Sequence, residues 1–138
     1  MKDKKVVRIA SLISRSIEKS TTVRKHVAAV IQNGKIKIIR HNTPGIHAEY
    51  LAVLDYLKIK KDTKTSCKTV IVIRYENGFY KNSKPCQECI CKLKNNVKNI
   101  IYSTGDRYNP FCKEKIHSLE NKWQSNLIRK VKDCVYHR

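Results

Sequence analysis

The sequence predicts an α/β chain, a three-layer α/β/α sandwich on a mixed sheet. Three observations carry this expectation. Apolar stripes at helical spacing alternate along the chain with short β-branched runs, and that order puts helices between strands. An Asn-Gly dipeptide joins two of the runs as a hairpin. The length, 138 residues, suits one domain with a single core. Residues 1–138 are therefore read as one domain, ending in a helical segment from about residue 111.

Val6, Ile9, Ala10, Ile13 and Ile17 recur at helical spacing and predict a first helix from about Val6 to Lys19. "KHVAAVIQ" (25–32) and "KIKIIR" (35–40) flank Asn33-Gly34. Both residues tolerate positive φ in a type I′ turn, so two antiparallel strands are expected. "HNTPG" is a loop, and "IHAEYLAVLDYLKIKK" (46–61) carries a second stripe through Leu51, Leu54 and Leu57, a helix opening at or just before His47. "KTVIVIRY" (68–75) suits a buried central strand. After it come the turn "ENG" and a polar excursion to Lys84. Pro85 suits the first turn of a third helix, where a missing N–H costs nothing, and that helix is expected to run to about Asn95. "VKNIIYS" (97–103) is another strand, and Ile116, Leu119, Trp123, Leu127, Ile128 and Val131 give the stretch from about Phe111 to Tyr136 helical spacing.

The formal charge is +19, from 30 Lys plus Arg against 11 Asp plus Glu. Such a surface attracts nucleic acid, nucleotides or anionic membranes. Lysine, isoleucine and asparagine also rise together in AT-rich coding sequence, so charge alone does not choose among them. The first twenty residues lack an apolar h-region, which argues against a signal peptide, and nothing approaches a membrane span. An intracellular, reducing setting is the expectation. There, six cysteines read as metal ligands or buried thiols rather than disulfides.

The chemistry concentrates in "IHAEY" (46–50) and "SKPCQECIC" (83–91). Cys86 and Cys89, three positions apart on the first turn of a helix, present their sulfurs on one face and can grip one ion. His47, opening another helix, can add a nitrogen. Zinc with three protein ligands keeps its fourth position for water, the mark of a catalytic site rather than a closed one. Glu49, two positions after His47, is placed to take that water's proton and deliver it to a substrate. The pair His-x-Glu and Pro-Cys-x-x-Cys is the signature of zinc-dependent base deaminases.

On these residues the sequence resembles the cytidine deaminase-like superfamily over roughly residues 5–105: "HAE" opens a helix after a β-hairpin, and "PCQEC" opens the next helix after a strand. The resemblance implies a five-stranded sheet between helices. It also implies one Zn2+ per chain on His47, Cys86 and Cys89, proton transfer by Glu49, and substrate contact at Asn42, Ala48 and Pro85. The implied reaction is hydrolytic deamination of a cytosine on a nucleoside or nucleotide, with single-stranded DNA, RNA or a tRNA adenosine as the alternative substrate. Family members often assemble through faces that build their pockets, so a homo-oligomer is among the implied partners. The excursion "ENGFYKNS" departs from the family's shorter junction and redraws the pocket rim.

Each residue also has a plainer reading. The His–Cys–Cys set could be a structural clip closed by Cys91, His41 or Cys112 in a non-enzymatic module that binds nucleic acid. Glu49 could serve the helix dipole alone, and Asn42 could only cap its loop. Cys67, Cys112 and Cys134 read as buried small residues, and His26, His117 and His137 as ordinary packing or surface. Tyr75, Phe79 and Tyr80 are candidates for stacking on a base or for rim packing. Lys81, Lys84, Arg107 and Lys113 fall in segments expected near the pocket mouth.

Overall fold

A computed structural model describes residues 3–15, 17, 25–43, 45–59 and 67–119. In chain order these form α1 (Asp3–Ser14), β1 (His26–Gln32), β2 (Lys35–His41), α2 (Ala48–Ile59), β3 (Cys67–Glu76), β4 (Phe79–Lys81), α3 (Gln87–Leu93), β5 (Val97–Ser103) and β6 (Phe111–Lys115). A 3-10 turn follows at Ile116–Ser118. None of the described helices is long and apolar enough to cross a membrane.

Alternation along the strands makes the two faces of the sheet. Val27, Ala29 and Ile31 of β1, with Ile71, Ile73 and Ile101, are buried against Val6, Ile9, Ala10 and Ile13 of α1. The intervening Ala28, Val30, Val70, Val72 and Ile100 are buried on the opposite face, under Ala48, Ala52 and Val53 of α2 and Ile90 and Leu93 of α3. A strand with apolar residues on both sides needs cover on both sides, and the result is the expected three-layer sandwich. α1 ends earlier than the periodicity suggests, but Ile17 beyond it stays buried.

The strand order is β2-β1-β3-β5-β6, with β4 pairing β3. β3 and β5 run parallel and the other pairs antiparallel. Asn33 and Gly34 both take positive φ in the β1–β2 hairpin, as the dipeptide predicts. Two departures matter for the site. The polar excursion is a second hairpin, in which Asn77 (φ 51°) and Gly78 (φ 84°) turn the chain so that Glu76 pairs Phe79, Tyr75 pairs Tyr80 and Arg74 pairs Lys81. Because Arg74 pairs His26 of β1 as well, β4 occupies the other edge of β3, beyond the end of β5. The expected helix from about residue 111 instead opens as edge strand β6, paired to β5 from Asn99–Lys115 to Ser103–Phe111. Its continuation from 120 lies outside the described residues.

Ser83 and Ser103 close the seam where β4 and β5 both end. Both are buried. Ser83 N–H donates to the Ser103 carbonyl (2.8 Å), Ser103 N–H donates to Ser83 Oγ (2.9 Å), and the hydroxyls lie 2.7 Å apart. Ser83 Oγ also donates to the Val72 carbonyl (2.8 Å) and Ser103 Oγ to that of Lys81 (2.6 Å). Three segments are tied together just before Cys86.

Candidate metal centre and its pocket

His47 and Cys86 each sit one residue ahead of a helix and accept its first backbone bond: Leu51 N–H donates to the His47 carbonyl (3.0 Å) and Ile90 N–H to that of Cys86 (3.0 Å). Cys86, at φ −69° and ψ 165°, is extended where a cap must be. Pro85 therefore precedes the cap instead of filling the first helical turn. α3 stops at Leu93, short of the expected Asn95.

These caps bring the three predicted donors together. His47 Nδ1 lies 3.0 Å from Cys89 Sγ and 3.7 Å from Cys86 Sγ. All three ligand atoms fall within 4.8 Å of one another, and they make the only such His/Cys/Asp/Glu group among the described residues. Cys91, whose spacing of five positions from Cys86 puts it on another helical face, stands outside the group and takes a hydrogen bond from Gln87 Nε2 on its own helix (3.3 Å). Neither His41 nor Cys112 joins the group.

The protons on this set show why a cation fits. A hydrogen bond from Cys89 stabilises the Cys86 thiolate against the cost of burial, with a further contribution from His47, and holds Cys86 at about 4. Bonding to Cys86 raises His47 to about 9, with burial opposing and the Glu49 carboxylate assisting. Nδ1 is nearer Cys89, but the negative charge resides on Cys86, so that sulfur governs the imidazole. The Cys89 thiol is pushed up by its bond to Cys86 and by burial. Two sulfurs and an imidazole already gather protons around one point, and a divalent cation would replace those protons there. The donor set, soft sulfur with nitrogen and three residues in number, suits zinc with a position left open.

Glu49, in the first turn of α2, is buried at 4 % exposure, with Oε1 3.9 Å from His47 Nδ1. A buried carboxylate is expensive unless something uses its charge. It lines a cavity of about 470 Å³ together with His47, Cys86 and Ala48. Asn42 and Pro85 also line this cavity, as do His26, Arg74, Asn82, Ser83 and Lys84. The size is that of a small-molecule site. Asn42 is buried, and its Oδ1 accepts a hydrogen bond from His26 N–H (2.9 Å), so it joins the end of β2 to the start of β1 while facing the cavity.

His26 and Arg74 were not legible as pocket residues. They become neighbours only through the β1–β3 register, His26 opposite Arg74, which no local pattern encodes. Arg74 is held by Glu76 through Nε (3.0 Å) and Nη2 (3.3 Å). The excursion's aromatics divide: Tyr75 and Tyr80 stack edge-on at 5.1 Å, and Tyr80 with Phe111 at 4.9 Å, on the α1 side. Phe79 alone is turned outward, at 61 % exposure.

No protein-family model matches the chain, and no curated protein sequence matches it significantly. Among solved structures it is similar to cytidine deaminase from Burkholderia pseudomallei. The identity is 15 %, the TM-score 0.59, and the match covers 86 % of this chain and 95 % of that one. At that identity the likeness speaks for architecture alone: the chain has the cytidine deaminase-like fold.

Proposed function

We propose that the chain is a zinc-dependent hydrolytic deaminase that converts a cytosine moiety, on a nucleoside or nucleotide, to uracil with release of ammonia. One observation carries this reading: a buried carboxylate, Glu49, stands beside a three-donor His–Cys–Cys group at the wall of an open cavity. A purely structural clip calls for a fourth protein donor and has no use for that acid.

His47, Cys86 and Cys89 would hold the ion, whose part is to bring the pKa of a water near neutrality. Glu49 takes the proton of the attacking water and passes it to the ring nitrogen of the base. It then takes the remaining proton from the newly added hydroxyl and delivers it to the departing amine, so that the ring carbonyl forms, ammonia leaves and the carboxylate is restored. Asn42 contacts the nucleoside from the β2 end, while Ala48 and Pro85 form the walls that position the ring. All three face the cavity. Glu49 is held in place because its helix is packed on the sheet through Ala48, Ala52 and Val53.

The test is a screen of the zinc-loaded protein against cytidine, its phosphates, adenosine, and single-stranded DNA and RNA, read by ammonia release and the mass change of amine-to-oxygen exchange. Turnover of a cytosine substrate supports the proposal. Adenosine-only turnover moves the substrate, and no turnover of any substrate at one zinc per chain leaves a zinc-bearing module instead.

A further inference from the structure

His47, Cys86 and Cys89 stand between two cavities. His47 and Cys86 line the cavity described above, whereas His47 and Cys89 line a second one of about 210 Å³, with Ile46, Tyr50, Glu88 and Lys92. That is below the size of ordinary small-molecule sites, roughly 300 Å³ and more. A divalent ion carrying six waters, at about 30 Å³ each, fills roughly 180 Å³. The second cavity is therefore too small for a nucleoside and large enough for a hydrated metal ion.

The helices dictate what stands over the donors. Tyr50 follows His47 by three positions at the start of α2, and Lys92 follows Cys89 by three on α3, so each lies one turn beyond a donor on its own side of the helix. Lys92 Nζ rests 4.6 Å from the centre of the Tyr50 ring and 3.0 Å from Glu88 Oε1. The Lys92–Tyr50 pair thus spans α2 and α3 across the second cavity, with Lys92 reaching water and Cys89 buried beneath it. A cation–ring contact and an i, i+4 ion pair at the surface are both weak, so the span opens readily.

Charge separates the two routes to the buried sulfurs. Arg74 and Lys84 line the larger cavity and repel an incoming cation. Among the described residues lining the second cavity, Lys92 is the only lysine or arginine, and Glu88 already engages it. With Lys92 drawn aside, the Glu88 carboxylate, the Tyr50 ring face and the Cys89 sulfur lead from water to the donors. All three are electron-rich, and carboxylate and thiolate are both groups that zinc accepts.

We propose that the second cavity is the passage by which a divalent ion reaches and leaves His47, Cys86 and Cys89, with the Lys92–Tyr50 pair as its latch and Glu88 as the carboxylate that first takes the ion from water. The inference rests on the zinc reading of these donors and is independent of the substrate.

The zinc-loaded full-length protein is mixed with isotopically labelled zinc, and the exchange rate is read beside zinc affinity from chelator competition. Lys92→Ala speeds exchange about fivefold, as loss of a weak cation–ring contact and ion pair implies, at unchanged affinity, while Lys92→Arg keeps the wild-type rate. Adding Glu88→Gln to Lys92→Ala slows exchange again. Ile46→Trp, which narrows the second cavity, slows exchange, and Lys84→Trp, on the wall of the larger one, leaves it unchanged. Unchanged melting temperatures show that the variants fold. A Lys92→Ala effect matched by an equal loss of affinity marks a merely structural role and overturns the passage, as does exchange slowed by Lys84→Trp and not by Ile46→Trp. Base turnover by a protein whose zinc exchanges through the larger cavity refutes the passage and leaves the deaminase; latched exchange without turnover of any base does the reverse.

Discussion

Ser83→Ala should loosen the seam beside the candidate metal centre. The hydroxyl is buried at 5 % exposure, accepts from Ser103 N–H at 2.9 Å and donates to the Val72 carbonyl at 2.8 Å. Alanine leaves the Ser103 N–H, also fully buried, without its acceptor, and removes a bond from Val72. One orphaned buried donor costs about 1–3 kcal/mol and one lost bond about 1 kcal/mol, giving ~2–4 kcal/mol together. For a domain of this length that lowers Tm by about 10 °C. Ser83 is three residues before Cys86, so weaker zinc retention, on the order of tenfold, should accompany the loss. Urea unfolding followed by circular dichroism, with competitive chelation for zinc, measures both. A stability loss below about 0.5 kcal/mol, the range of an ordinary surface change, would refute the reasoning.

Cys89→Ser should reduce bound zinc well below one per chain, and zinc should shield Cys86 and Cys89 of the wild type from iodoacetamide; equal labelling with and without metal would speak against a shared ion. Gly78→Val strains a residue at φ 84° that has no neighbour within 4 Å of a new Cβ, so a loss of about 1–2 kcal/mol is expected from backbone conformation alone, read by thermal unfolding. Arg40→Ala breaks the 2.8 Å pair with Asp55, but both side chains are part-exposed. Its cost should stay under about 1 kcal/mol and fade at high salt.

The strands that alternate or run apolar, the Asn33-Gly34 hairpin and the gathering of one histidine and two cysteines at helix starts were legible because each is a local pattern. His47, Cys86 and Cys89 are recognisable from spacing on helix starts, and the structure brings them within 4.8 Å of each other. What escaped depended on partners. β4 has three residues, too few for alternation to register, and its Asn-Gly turn reads as a hairpin only when a return strand is seen. Phe111–Lys115 is a polar edge strand with one face to solvent, so the helical spacing of Ile116 and Leu119 was carried back over it. His26, Arg74 and the Ser83–Ser103 pair became pocket or seam residues through register across β1, β3 and β5.

The central claim is that Glu49 moves the proton while His47, Cys86 and Cys89 hold the ion. The most direct measurement is the single-turnover deamination rate and zinc content of Glu49→Gln, on a substrate that the wild type turns over. The account predicts about one zinc per chain and a rate lower by about two to four decades. A variant that keeps its zinc and its full rate would contradict it.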